Sequence, residues 1–226
     1  MASQLPLGIE LKPTIDFSRF ISGQNAQAVA RLRSGQDPFI YLWGESGCGK
    51  SHLLQAACRQ QDAEGARCAY LPPAEITGLS PEMLEGLESM DLVCLDDLEQ
   101  LLGDPTWELA LFNLFNQLRD HRAQLFIAAN APPGQLPVKL KDLASRLTWG
   151  PCYHLIPLND PERLELLISS AEQRGLKLSP ETAGFLLQRT PRDIHSLTRL
   201  VERLDQASLA EQRRLTTPFV RKVLGL

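Results

Sequence analysis

Gly44-Glu45-Ser46-Gly47-Cys48-Gly49-Lys50-Ser51 fits the pattern G-x-x-x-x-G-K-[ST], and its flanks decide the fold. The apolar run Phe39-Ile40-Tyr41-Leu42-Trp43 precedes it, and the helix-like Ser51-His52-Leu53-Leu54-Gln55-Ala56-Ala57 comes after it. Strand, loop and helix is the context in which such a loop wraps a phosphate. Gly44, Gly47 and Gly49 let successive backbone N–H groups turn inward, and the positive end of the following helix adds to their attraction for an anion. In a nucleotide site of this kind Lys50 reaches the β- and γ-phosphates and the Ser51 hydroxyl ligates Mg²⁺.

The rest of the chain repeats the alternation. Strand-like runs recur at Cys68-Ala69-Tyr70-Leu71, Asp91-Leu92-Val93-Cys94-Leu95, Gln124-Leu125-Phe126-Ile127-Ala128-Ala129 and Cys152-Tyr153-His154-Leu155-Ile156. They are almost continuously apolar, which predicts strands buried on both faces of a parallel α/β sheet. Helical patterns lie between them: Asn25 to Arg33 ahead of Gly35, a longer helix opened by Asp104-Pro105, and a shorter one opened by Ser80-Pro81-Glu82. The first of these, just before the phosphate-loop strand, is placed to form a wall for an adenine ring. Beyond Pro157 the strands stop. Asp160-Pro161, Ser179-Pro180, Thr190-Pro191 and Thr217-Pro218 each read as a cap residue and proline opening a helix. The expected division is an extended arm over 1–12, an α/β nucleotide-binding domain over 13–157 and an α-helical lid over 158–226.

The 226 residues suffice for such a domain pair, and no run of about 20 apolar residues suggests a membrane span, so a cytoplasmic protein is expected. Five cysteines without C-x-x-C spacing read as reduced thiols, not as a metal or disulfide framework. Charge is uneven. Residues 189–226 hold 8 Lys+Arg against 4 Asp+Glu, although the whole chain is at −4. Such a tail suits DNA or other phosphates, or a basic lid closing over a nucleotide. The first ten residues carry Leu and Ile without helical period, an arm whose apolar groups need a surface, their own domain's or a partner's.

Candidate chemistry lies at the strand ends. Asp96 and Asp97 follow an apolar strand. Beside a phosphate loop, the first carboxylate holds the metal, usually through water, and the second polarises an attacking water. Taken alone, paired acids after a strand are also common helix caps. Asn130 ends the next strand, where a polar group can orient the lytic water or simply start a turn before Pro132-Pro133. Arg146 lies in the helical stretch Asp142-Leu143-Ala144-Ser145-Arg146-Leu147; an arginine delivered into another subunit's nucleotide site stabilises phosphoryl-transfer charge. Arg192 is set either to close onto phosphates or to be a solvated first-turn residue.

Taken together, Gly44 to Ser51, Asp91 to Asp97, Asn130, Ser145-Arg146 and Pro191-Arg192 resemble the motif series of AAA+ ATPases: Walker A, Walker B, sensor 1, arginine finger and sensor 2. The Asp-Asp ending of Walker B is similar to the initiator clade, and Leu92-Val93-Cys94-Leu95, Asp142 to Leu147 and Leu215-Thr216-Thr217-Pro218-Phe219-Val220 resemble the Hda family of DnaA-related regulators. The resemblance covers essentially the whole chain. It implies that Gln4-Leu5-Pro6-Leu7 is a clamp-binding motif, with Gln4, Leu5 and Leu7 entering a pocket on the DNA polymerase III sliding clamp (beta subunit). The next pair, Gly8-Ile9, departs from the aromatic ending usual in clamp-binding peptides. It implies further that bound ADP or ATP, with Mg²⁺, keeps the protein active, and that Arg146 promotes hydrolysis of DnaA-bound ATP, switching initiation off. DNA would be met mainly through the clamp, and a homodimer or oligomer is compatible. The chain is expected to lack the initiator's helix-turn-helix and helicase-recruiting domains. A self-sufficient ATPase, a helicase loader of the same clade and a non-catalytic clamp adaptor are the alternatives.

Overall fold

Phe39–Trp43 (β1) is the strand around which the sheet is assembled. Its side chains alternate between two apolar layers. Phe39 and Tyr41 face one and Ile40 and Leu42 the other, and the last three have no exposed surface. The structure, a computed structural model, describes residues 15–72, 80–191, 193–213 and 215–225. The remaining strands are Cys68–Leu71 (β2), Leu92–Leu95 (β3), Gln124–Ala129 (β4) and Cys152–His154 (β5), all paired in parallel in the order β2-β3-β4-β1-β5. The expected parallel α/β sheet is therefore present. Burial on both faces holds for β1, β3 and most of β4. At the two edges, β2 and β5 are half exposed, because an edge strand has a neighbour on one side only.

Helices fill both layers. Ala26–Ser34 (α1), ended by Gly35 in the left-handed region at φ 59°, and Lys50–Ala63 (α2) cover one face through Val29, Leu32, Leu53 and Leu54. Pro105–Asp120 (α3), capped by Asp104, and Lys141–Arg146 (α4) cover the other through Trp107, Leu111, Leu114, Phe115 and Leu143. The segment expected to open a helix at Ser80 forms only a 3-10 turn, Pro81–Leu84, and the Ser80 side chain does not cap it.

The chain divides into two compact units: the described residues up to 20 with 24–156, and 21–23 with those from 157 on. The second unit is built from Asp160–Glu172 (α5), Pro180–Leu187 (α6), Ile194–Glu211 (α7) and Thr217–Leu224 (α8). Its own core includes Leu167, Leu186, Leu197, Leu204 and Phe219. Ser179-Pro180 opens α6 as the pattern predicts. The other three openings are shifted. Asn159 caps α5 in a reciprocal box with Glu162, Asp193 caps α7, and Thr216 caps α8. The physical reason is that a cap must accept from an N–H two or three residues on, and these side chains are the ones in register to do so.

Asn25 ties the approach to α1 to the exit of β5. Its amide nitrogen donates to the Ile156 carbonyl at 2.9 Å and its amide oxygen accepts from the Ile156 N–H at 2.8 Å, in a buried position. Asn25→Ala strands both Ile156 groups, each worth about 1–3 kcal/mol when left unpaired out of water. A fall in the denaturant midpoint of the α/β unit is the expected outcome, to be read by equilibrium unfolding.

Candidate nucleotide-binding site

The loop after β1 is shaped by its glycines. Gly47 and Gly49 have φ of 79° and 101°, a region that L side chains rarely adopt. A Cβ at Gly49 would also lie 2.5 Å from the Phe20 ring, and one at Gly44 would lie 2.7 Å from the Leu155 carbonyl. Gly44 is fastened to the end of β4 by its N–H donating to Ala129 at 3.3 Å. Lys50, the first residue of α2, is buried; its Nζ donates back to the carbonyls of Gly44 (2.8 Å) and Glu45 (3.1 Å). Among the described residues, the N–H groups of Ser46, Gly47 and Gly49 donate to no protein acceptor. Three unspent loop amides and a buried ammonium at the start of a helix suit a phosphate group, so these residues fit a nucleotide's phosphates. Burial pushes the Cys48 thiol up, which suits an inert packing role inside the loop.

The sheet order puts the other strand-end groups beside this loop. Asp96 is buried one residue beyond β3, accepting from the Tyr70 hydroxyl at 2.6 Å and from the Asp97 N–H at 3.0 Å. Burial raises the Tyr70 phenol, with Asp96 adding to it, so the phenol stays a donor; Ser51 and Gln55 lie close enough to act on the same hydroxyl in the opposite sense. Ser51 and Asp96 thus converge on one spot, and a hydroxyl beside a carboxylate is a donor set that fits Mg²⁺. Asp97 sits in the left-handed region at φ 39°. Burial holds its carboxyl above the usual range, reinforced by Asp96 and Glu99 and opposed by Lys50. Asn130 follows β4, and the backbone is held on both sides of it. Its N–H donates to Glu99 at 3.2 Å, while the Tyr41 hydroxyl donates to the next carbonyl, Ala131, at 2.9 Å.

Arg146 is not brought to this edge. It is the last residue of α4, with its guanidinium 3.9 Å from the Trp149 ring centroid and 5.9 Å from those of Phe112 and Phe115. Trp149 packs edge-on against Phe115, Phe115 against Phe39, and Gly150 against Phe39 itself. Phe39 begins β1 and Gly44 follows its end. Arg146 therefore lies at the sheet's amino edge, about 16 Å away for five residues of strand. Among the described residues no carboxylate pairs with it. Gln4, Leu5, Leu7 and Arg192 lie outside the described residues.

Tyr70, Glu99 and Phe20 escaped the sequence reading. Tyr70 stood inside an apolar run, and only its register opposite Cys94, two residues before Asp96, turns its hydroxyl toward the site. Phe20 stacks at a tilt on His52, 5.5 Å between centroids, and shields Gly49; no sequence pattern marks it.

Residues 11–153 match the family described as "Bacterial DnaA ATPAse domain". The chain belongs to this DnaA-related family of AAA+ proteins. Residues 160–224 match "Hda, lid domain", in keeping with the resemblance read from the motifs. An uncharacterized protein of Haemophilus influenzae is 42% identical over 231 residues, spanning 100% of both chains. Domain III of the Thermotoga maritima replication initiation protein DnaA superposes with a TM-score of 0.81 at 21% identity, over 96% of this chain and 98% of that one. AMPPCP-bound DnaA from Aquifex aeolicus superposes with a TM-score of 0.71 at 24% identity, over 89% and 68% of the two chains. The AAA+ α/β fold is thus common to this chain and both solved structures. Among the described residues no helix is long and apolar enough to cross a membrane.

The electrostatics of the carboxylate pair give a direct test. Asp97 should titrate above its ordinary 3.8 in a carbon-detected NMR titration, and Asp96→Asn should lower the midpoint only part of the way, since burial is the larger cause. By linkage, an acid whose folded pKa is raised contributes stability below its unfolded pKa that is lost as pH rises through the folded value. Asp97→Asn should therefore flatten the stability profile on the alkaline side of 3.8.

Proposed function

We propose that this DnaA-related protein is a clamp-associated regulator that promotes hydrolysis of ATP bound to DnaA and so prevents re-initiation of replication. One observation carries the reading. Arg146 sits a strand's length from the chain's own phosphate loop, with no carboxylate partner among the described residues, on a Trp149 ring that is 51% exposed. A guanidinium so placed has no use in cis, but it suits a nucleotide held by another protein docked against this edge. There it stabilises the charge that develops on the transferred phosphoryl group, a contribution of about 10³–10⁵ in rate.

The chain's own loop then serves as a ligand site. Gly44 to Ser51 hold the phosphates of ADP or ATP through backbone N–H groups and Lys50, with Arg192 as a further phosphate-binding residue. Ser51 and Asp96 are the residues that would hold Mg²⁺, which when bound neutralises phosphate charge. Asn130 and Asp97 face the same edge, where they orient and polarise a water. A bound nucleotide links loop and strand ends, which stabilises the form of the α/β unit that docks on DnaA. Gln4, Leu5 and Leu7 tether the arm to the sliding clamp, so DNA is reached through the clamp.

A second reading, an ATPase in its own right, is favoured by Asp97, which follows the buried Asp96 at the end of β3, the same sheet edge as the phosphate loop. One assay separates the two: phosphate release from ATP-loaded DnaA with the clamp on DNA and ADP present. The intact chain should accelerate release, Arg146→Ala should remove about 10³ of the acceleration or all that is measurable, and Gln4/Leu5/Leu7→Ala should abolish the clamp's contribution. Equal release with the Arg146→Ala variant would sink the proposal, and turnover by the isolated chain without DnaA would bring the second reading forward.

A further inference from the structure

Arg146 ends a helix that does not secure its own beginning. α4 has six residues, Leu140 stands at its N-cap position, and no side chain of the cap accepts a hydrogen bond. The missing acceptor comes from α3. Glu108, fully buried in the first turn of α3, accepts from the Leu140 N–H at 2.7 Å and the Lys139 N–H at 2.9 Å through one oxygen. Its other oxygen accepts from the Gly103 N–H at 2.9 Å and also reaches Lys139 N–H at 3.2 Å. Lys139 closes the ring by donating its Nζ to the Gly103 carbonyl at 2.6 Å.

A buried carboxylate is tolerated only where its lone pairs are filled, and here backbone amides fill them. Burial alone would raise the acid. The amides of Gly103, Leu140 and Lys139, helped by the Lys139 charge, outweigh it and hold the carboxyl below the usual range. The carboxylate also lies at the positive ends of two helices, its own and α4. From that anchor to Arg146 the helix runs about 9 Å, held on one side by Leu143, with Leu147 buried just beyond its end. At the far end the guanidinium rests on Trp149, which shares its ring with Arg119 at 5.6 Å.

We propose that Glu108 is a positioning residue for Arg146: its carboxylate fixes the start of α4, and so sets the direction in which the arginine is presented to a partner's nucleotide. The inference rests on the proposed role of Arg146. Leu143 and Leu147 hold the helix to the core, but the start of this six-residue helix has few internal hydrogen bonds and an apolar cap, so its N–H groups depend on Glu108. Displacement of a reacting group by about 1 Å is enough to lose 10²-fold in rate.

The test uses the full chain with Glu108→Gln, which keeps the shape but turns an amide NH₂ toward N–H donors, and with Glu108→Asp, which keeps the charge one methylene further back. Three readouts are taken: stimulated phosphate release from ATP-loaded DnaA with clamp on DNA, binding of a fluorescent ADP to the chain's own loop, and fluorine NMR of 5-fluorotryptophan at the three tryptophans. Glu108→Gln should lower stimulation at least tenfold, leave ADP affinity within about twofold, and shift the Trp149 resonance while Trp43 stays in place. Glu108→Asp should fall between it and the parent, and it carries the test if the glutamine variant does not fold. Stimulation unchanged in both, while Arg146→Ala abolishes it, overturns the role of Glu108 and leaves that of Arg146 standing. Stimulation and ADP affinity lost in parallel in both variants make Glu108 a general stabilising residue and overturn the positioning role. Full stimulation by Arg146→Ala overturns the underlying reading itself.

Discussion

A strand flanked by parallel neighbours on both sides has to send its loop out at one edge of the sheet, and β1 is such a strand. Its neighbours β4 and β5 run in the same direction, and every side chain from Phe39 to Leu42 is covered. The chain therefore leaves β1 at the carboxyl edge, directly into the glycine-rich loop, and cannot re-enter the sheet beside β1 without crossing it. It goes instead to β2 at the far side and returns through β3 and β4. That excursion leaves a reversal of direction next to β1, and the crevice at such a reversal collects polar strand ends. Gly44, Asp96 and Asn130 meet there because each comes just after a strand that must end at the same edge.

The same constraint separates the chemistry into two places. A residue just after a strand lands at the carboxyl edge, and a residue just before one lands at the amino edge. Arg146 and Trp149 precede β5, so they share the amino edge with Phe39. No side chain spans a strand's length, about 16 Å for β1. On the proposed reading this separation is useful. The chain presents one edge to its own nucleotide and offers the other to a partner's, so ligand occupancy and delivery of the arginine are coupled only through the rigid sheet between them.

Much of this was legible in the sequence, and the reasons differ by element. β1, the phosphate loop and α2 were readable because apolar continuity, glycine spacing and helix formers agree over one short stretch. The edge strands were readable as strands but not as edges, since position in a sheet is set by pairing and not by composition. Cap positions slipped by a residue or more at α5, α7 and α8, where the Pro-based reading overlooked Asn159, Asp193 and Thr216 as better-placed acceptors. Asp96 was recognisable from its strand, but Tyr70, which donates to it, was not. A tyrosine hydroxyl acquires meaning only once register puts Tyr70 opposite Cys94. Glu108 was hidden for a related reason: in sequence it is one more acid in a first turn, and its partners at 139–140 are more than thirty residues away.

Glu108 and Lys50 solve the same physical problem with opposite charges. Each is a charge taken out of water, and neither relies on an ion pair with a counter-charged side chain. Glu108 is satisfied by backbone N–H groups and Lys50 by backbone carbonyls. A side-chain counter-ion can leave when its rotamer changes, whereas a backbone partner moves only if its loop moves. Charges held in this way fix loops instead of each other. For Lys50 the fixed loop is the one whose unspent amides suit a phosphate; for Glu108 it is the start of the helix that ends in Arg146. One buried charge thus holds the phosphate-loop backbone and the other the start of the helix that carries Arg146 to the amino edge, which is why a neutral isostere at Glu108 should disturb the placement of Arg146 while leaving the Lys50 contacts as they are.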